Sequence, residues 1–350
     1  MPHMSVEALE RAIFPVAQQL TGGHNPHLET LEGGASIRRY HRITLAGART
    51  PSIVVMELGD NPLKSEEAGK AAVPTELPFI NVQRYLAQAG ASVPAILRHD
   101  TTLGLVYIED LGDITFESRV LHANDEVRAQ YYRLAIDQLV ALQDYALERP
   151  DPHCIAFTRG FDYELLKWEL DHFREYGLEA QGHQLTDAER AEVERVFKRI
   201  AEELAAQPRG FVHRDYQSRN LMVQDAPDGP RLRLIDFQDA LLGPRVYDLV
   251  GLLRDSYVAL SPELLDAMVA HFVARAGMDA APFGRLFDLQ VVQRKLKDSG
   301  RFVFIDRVKG NPSFLKHIPN SLAYVARSLK RLPELDSLRE ILARKLPELA

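Results

Sequence analysis

One stretch of the chain constrains its fold more than any other. His213-Arg214-Asp215-Tyr216-Gln217-Ser218-Arg219-Asn220 leads into the apolar Leu221-Met222-Val223. A turn at Asp228-Gly229-Pro230 follows, then a second apolar run, 232–235, that ends in Asp236-Phe237. Asn220 lies five residues after Asp215 and Asp236 lies 21 after it. A tight loop feeding a hairpin returns the chain on itself, so three oxygen-bearing side chains converge. Capped surface turns also use Asp and Asn. The ordered combination of H-R-D-x-x-x-x-N, a hydrophobic strand and Asp-Phe outweighs that reading.

These residue types suit the transfer of a phosphoryl group. A hydroxyl acceptor needs a carboxylate to orient it and take its proton, the expected role of Asp215. A magnesium ion needs hard oxygen ligands, which Asn220 and Asp236 supply. His213 is placed with the catalytic residues, shaping the loop by hydrogen bonding. Downstream, Gly243-Pro244 reads as a turn, and Asp248 enters an apolar helix where its carboxylate can cap backbone donors and support the loop.

The rest of the chain sorts into two regions. Residues 5–20 read as a helix, 37–45 and 53–58 as β-branched strands, 79–89 as a helix stopped by Gly90, and 105–108 as a further strand. From about residue 125 the apolar spacing turns helical, through 126–147 and 161–173. Thr186 with Glu189 forms a capping box opening the helix over 186–207, whose acidic residues read as a solvated face. Ser261-Pro262 opens another helix that closes at Gly277, and the tail reads as mostly helical. Residues 211–238 form a β-like island. The expected fold is α+β and two-lobed, with a small β-rich N-lobe over 1–110 and a larger, mainly helical C-lobe over 111–350. On the 161–173 helix, Trp168 is expected in the core. Asp162, Tyr163, Glu164, Glu169 and Asp171 are expected on a solvated face.

Composition narrows the partners. The chain has 350 residues and a formal net charge of −7, which argues against sequence-independent nucleic-acid binding. Its one cysteine, Cys154, can form no internal disulfide and reads as structural. No basic, then apolar, N-terminal segment suggests a signal peptide. No run of 18 apolar residues suggests a membrane span. A cytoplasmic protein that uses ATP is expected.

Residues 211–255 resemble the aminoglycoside phosphotransferase/choline kinase superfamily, a branch of the protein-kinase-like fold. Within it, the segments 213–222 and 235–257 look most like bacterial kinases that phosphorylate the anomeric hydroxyl of N-acetylmuramate and N-acetylglucosamine. Gly34-Ala35-Ser36-Ile37-Arg38-Arg39-Tyr40 resembles that group's nucleotide loop, and Glu109-Asp110-Leu111-Gly112-Asp113 its hinge. The resemblance spans residue 30 to about 260. It implies that Asp215 is the base and that Asn220 and Asp236 bind magnesium. It implies that Gly33, Gly34 and Ser36 lie over the phosphates, and that the backbone of Glu109 and Leu111 meets adenine.

The chain departs from the pattern at one place. The strand Ile53-Val54-Val55-Met56-Glu57-Leu58 carries no lysine for the α- and β-phosphates, and the following helix offers it no glutamate. Either Arg38 or Arg39 substitutes, or the chain binds nucleotide without turnover; the intact Asp215, Asn220 and Asp236 favour the former. For the acceptor, Gln217, Arg219 and Asp239 lie close to the loop, and Arg219 or Arg254 can meet a carboxylate such as the lactyl group of N-acetylmuramate. An amino-sugar kinase is the leading expectation. A kinase of a cationic metabolite or aminoglycoside and a non-catalytic nucleotide binder stand as alternatives, with a protein kinase a weaker one. Oligomeric state is left open.

Overall fold

The computed structural model describes residues 4–31, 38–59, 63 and 75–349. Helix α1 (Val6–Thr21) starts at Ser5, whose hydroxyl accepts the Ala8 N–H. Then follow β1 (His24–Leu31), β2 (Arg39–Ala46), β3 (Ser52–Glu57), α2 (Pro78–Gln88), β4 (Ile96–Asp100) and β5 (Leu105–Glu109). The strands form one antiparallel sheet in the order β1-β2-β3-β5-β4. Strands β1 and β4 have no counterpart in the sequence reading. Both are sheet edges with mostly exposed or half-buried side chains, so neither carries an apolar pattern. Pro26 sits in β1, where an edge tolerates the missing N–H.

The two faces of the sheet do different work. Ile43, Leu45, Ile53, Val55, Leu105 and Tyr107 pack on Leu9, Ile13 and Ala17 of α1. The alternate residues Val54, Met56, Val106 and Ile108 join a second core that continues into the helices below.

After Glu109 the chain is mainly helical. It runs through α3 (Phe116–Val120), α4 (Asp125–Glu148), α5 (Tyr163–His172) and α6 (Asp187–Ala205). The capping box on α6 forms as expected, with both Thr186–Glu189 bonds in place. Strands β6 (Arg209–Val212), β7 (Leu221–Ala226), β8 (Gly229–Leu234) and β9 (Leu241–Pro244) come next. They are two separate ladders, β6–β9 and β7–β8, where one island was expected. Gly243-Pro244 is thus strand and not turn: Gly243 pairs with Gly210, and a Cβ there would lie 2.7 Å from the Phe161 ring. Helices α7 (Val246–Leu253), α8 (Pro262–Arg275), α9 (Ala280–Lys309), α10 (Ile318–Leu329) and α11 (Asp336–Lys345) complete the fold. No helix of the described residues is long and apolar enough to cross a membrane.

Helix α5 corrects two expectations. Its inward stripe is Leu166, Glu169, Leu170 and Phe173, at i, i+3, i+4 and i+7. Glu169 is therefore fully buried, not solvated, and Trp168, off the stripe, is 42% exposed rather than core. Cys154 is buried, and burial raises its thiol pKa to about 11, in keeping with a structural role.

Candidate active site

The loop between β6 and β7 is shaped from behind. Both oxygens of the buried Asp248 carboxylate, one turn into α7, accept main-chain N–H groups, from His213 at 2.6 Å and Arg214 at 3.0 Å. Seven residues on, buried Asp255 accepts the N–H of Ser218 at 2.8 Å and of Tyr257 at 3.0 Å. Burial raises the pKa of Asp248 to about 7 against the pull of those donors and Arg294, and burial raises Asp255 also. Arg214 is held at φ 78° and Asp236 at φ 63°, left-handed conformations that side-chain-bearing residues rarely adopt.

In front, the side chains converge as the spacing requires. Asn220 donates from Nδ2 to the Asp215 carbonyl at 3.0 Å and approaches Asp236 Oδ2 at 3.4 Å. The β7–β8 hairpin brings Asp236 back to the loop, with the Ile235 N–H on the Asn220 carbonyl at 3.1 Å. Gln238 donates to Asp236 Oδ1 at 2.8 Å and to Asp239 at 3.3 Å. The Asp236 carboxyl opens to the cleft, yet the protein packed around it and the neighbouring Asp215 charge raise its pKa to about 6. Phe237 is buried and stacks on Phe79 of α2 at 4.9 Å, fixing the hairpin end against the upper lobe. His213 is wholly buried beside Ile235, and burial lowers its pKa to about 4, so it stays neutral at pH 7.

The two candidate cations separate by strand alternation. Tyr40 and Arg42 point to the cleft side of β2, and Arg38 hydrogen-bonds Tyr40 and acts electrostatically on Asp236. Arg39 shares the opposite face with Ile43 and Leu45. Gly33, Gly34 and Ser36 lie outside the described residues.

The hinge residues are tied to both sides. Arg42 grips Asp110 at 2.7 and 3.1 Å and reaches Asp113 at 2.7 Å. Arg233 of β8 pairs with both carboxylate oxygens of Glu109, at 3.0 and 2.6 Å. The Glu109 N–H bonds the Ala95 carbonyl, and Leu111 is buried at the join.

The remaining candidates part company. Asp239 stays beside Asp236. Arg219 is held by Glu117 at 2.7 and 3.3 Å and lies over the Tyr257 ring at 3.6 Å. Arg254 is set apart: it is buried over Tyr324 at 4.9 Å, and Tyr324, Arg327, Asp288 and Arg331 are the groups that act on it.

A phosphotransferase family model, described as the phosphotransferase enzyme family, matches residues 27–283. The chain belongs to that family. This phosphotransferase is 34% identical to an N-acetylmuramate/N-acetylglucosamine kinase of Pseudomonas aeruginosa, over 90% of this chain and 87% of the relative. It is 32% identical to one of Pseudomonas putida and 31% identical to one of Neisseria meningitidis, over 90% and 88% of this chain and 87% of each relative. Among solved structures it resembles choline kinase from Cryptosporidium parvum, with TM-score 0.62 at 11% identity, covering 94% of this chain and 97% of that one. It also resembles choline kinase from Streptococcus pneumoniae, with TM-score 0.58 at 14% identity over 94% and 98% of the two chains. At such identities the likeness speaks to the fold: the phosphotransferase has the two-lobed kinase-like architecture.

Several residues that build the site escaped the sequence reading. Glu169 meets Arg214, Arg233 meets Glu109, Asp255 accepts from Ser218, Gln293 donates to Glu169, and Arg294 lies 3.7 Å from Asp215. One left a signal: Glu169 occupies a core position of its helix, whereas Asp255 lies just past the end of α7 and carries no such pattern.

Proposed function

We propose that the chain transfers the γ-phosphoryl group of ATP to a hydroxyl of an amino sugar, at the anomeric position of N-acetylmuramate or N-acetylglucosamine. The observation that carries this reading is the convergence of Asp215, Asn220 and Asp236 on one cleft face, in a chain whose full-length relatives are kinases of those sugars. The lobes are taken to divide at 110/111, so that nucleotide enters between sheet and helices. We place the protein in the cytoplasm, where ATP is available.

In this reading Asp215 accepts the proton of the sugar hydroxyl. The oxygen attacks the γ-phosphorus in line, the bond to the β–γ bridging oxygen breaks, and ADP leaves. Arg38 stands in for the absent strand lysine at the phosphates, a role alternation denies to Arg39. The backbone of Glu109 and Leu111 faces the adenine, and Gly33, Gly34 and Ser36 the phosphates. Asp239 and Arg219 border the acceptor side. Arg219 reaches a substrate carboxylate only by exchanging it for Glu117, and Arg254, buried over Tyr324, is the less favoured partner.

The donor set fits magnesium. Asn220 turns its Nδ2 to the Asp215 carbonyl and to Asp236 Oδ2, so its Oδ1 and the Asp236 carboxylate are the hard oxygens that would hold the ion. Among the described residues no group of three or more His, Cys, Asp and Glu could hold a metal by itself. Asn220 and Asp236 would be the residues to hold a magnesium ion, alongside the nucleotide. When bound, the ion supplies charge neutralisation at the β- and γ-phosphate oxygens.

ADP release from ATP and magnesium, measured across N-acetylmuramate, N-acetylglucosamine, glucose, choline and kanamycin, tests the reading. Turnover with the amino sugars alone is expected. Turnover with choline or kanamycin alone would overturn the acceptor class, and ATP binding without any turnover would favour a non-catalytic protein.

A further inference from the structure

Behind the catalytic loop lies a buried polar layer that phosphoryl transfer itself does not use. Gln290, Gln293 and Arg294 of α9 are at i, i+3 and i+4, so they share one face of the helix. All three are buried. Gln290 donates to Gln293 at 2.8 Å, and Gln293 donates to Glu169 Oε2 at 2.7 Å. The other Glu169 oxygen meets the Arg214 guanidinium at 3.3 Å. Arg294 Nη1 donates to the Arg214 carbonyl at 2.7 Å, and its Nη2 lies 3.7 Å from Asp215 Oδ1. The guanidinium rests on the Tyr247 ring at 4.4 Å.

Arg214 is thus held at its main-chain N–H, its guanidinium Nη2 and its carbonyl by three different elements. Its N–H goes to Asp248 on α7, its side chain to Glu169 on α5, and its carbonyl to Arg294 on α9. That many anchors matches the need, because a left-handed backbone at a residue with a side chain is unfavourable and persists only when its surroundings over-determine it. The peptide that follows leads directly to Asp215. Gly251 of α7 makes room for the anchor: a Cβ there would lie 3.2 Å from Arg294 Nη2 and 3.0 Å from the Tyr216 carbonyl.

We propose that Arg294 is a positioning residue: by gripping the Arg214 carbonyl and flanking the Asp215 carboxylate, it sets the direction in which Asp215 faces the acceptor hydroxyl. The proposal rests on the reading of Asp215 as the base. Lysine at this position keeps the charge but not the fork that serves carbonyl and carboxylate together. Arg294 is 1% exposed and its hydrogen bond and ion pair go to the loop, so its loss should leave nucleotide and sugar binding largely intact.

The test uses the full chain and whichever acceptor of the five-compound panel it phosphorylates. Arg294→Met, Arg294→Lys and Gly251→Ala are compared for kcat, for KM of ATP and acceptor, and for the stoichiometry of a non-hydrolysable ATP analogue by calorimetry. Misaligning a reacting group by about an ångström costs on the order of 100-fold. A kcat loss of that order is therefore expected for Arg294→Met, with a smaller one for Arg294→Lys. Both KM values should stay within about threefold, because the lost contact is made to the loop and not to substrate. Analogue stoichiometry should stay near one. Gly251→Ala, which crowds the guanidinium without removing it, should lower kcat in the same selective way, and it carries the test if Arg294→Met does not fold. The proposal is overturned if kcat in the Arg294 variants is unchanged, or falls only in proportion to the ATP-competent fraction. Failure of the functional reading looks different: the unaltered chain would ignore both amino sugars, or Asp215→Asn would retain activity.

Discussion

Asp248→Ala removes the acceptor of two buried amides, His213 N–H and Arg214 N–H. Each buried amide left without a partner costs about 1–3 kcal/mol, so the pair costs about 2–6 kcal/mol. A second effect opposes it. Burial raises the carboxyl from 3.8 to about 7 in the folded chain. Between those values the folded state binds a proton that the unfolded state does not. Stability from this group is therefore complete below pH 3.8 and is lost as pH rises toward 7. At about 1.4 kcal/mol per pH unit, the unaltered chain loses about 3 kcal/mol between pH 5 and pH 8 through Asp248 alone. The alanine variant has no such group. The stability gap between the two chains should be widest at pH 5 and narrower by about 3 kcal/mol at pH 8. Urea unfolding followed by far-ultraviolet circular dichroism at pH 5, 6, 7 and 8 measures it. Asp248→Asn, which retains one acceptor, should fall between. A gap that is constant or grows with pH would refute the reasoning, because it would mean that the two amides and Arg294 outweigh burial and keep the carboxylate ionised throughout.

Three further outcomes follow from the site. Asp215→Asn should abolish phosphoryl transfer while leaving ATP affinity within a few-fold, read by coupled ADP release and calorimetry; near-normal activity would remove Asp215 as the base. Asp236→Ala should lose the magnesium dependence of nucleotide binding, and calorimetric affinities that respond to magnesium as before would argue against its role as a ligand. Phe237→Ala empties a buried site stacked on Phe79 and should destabilise the chain by about 3–5 kcal/mol in urea melts. A loss below about 1 kcal/mol would show that α2 closes over the gap.

The half of the candidate site proposed to react was legible because it is local. Asp215, Asn220 and Asp236 lie on one loop and one hairpin, so spacing alone predicts their convergence. The supporting half was not. Arg294 reaches the loop from 80 residues away, and Glu169 from 45 residues on the other side. Their chemistry is indistinguishable in sequence from surface charge, and only the helical position of Glu169 hints at burial. Choosing Arg38 over Arg39 required the pairing register of β2, which a one-residue slip would reverse. Strands β1 and β4 were missed because edges need no apolar alternation. Strand β9 was missed because Gly-Pro is a strong turn signal, which its pairing with β6 overrides. That Arg219 pairs with Glu117 was not legible, because Glu117 belongs to α3, a short helix with no sequence signal strong enough to place it.

The geometry of α5 also governs how the molecule can be watched. Its solvent side carries Trp168, the chain's one tryptophan, 42% exposed and stacked on His172 at 5.3 Å, one step from the buried Glu169. An indole already this wet changes its surroundings little when the chain unfolds. Tryptophan emission will therefore understate global unfolding and report mainly on whether α5 keeps its stacking, whereas the 12 tyrosines, many of them buried, carry the near-ultraviolet signature of the packed core.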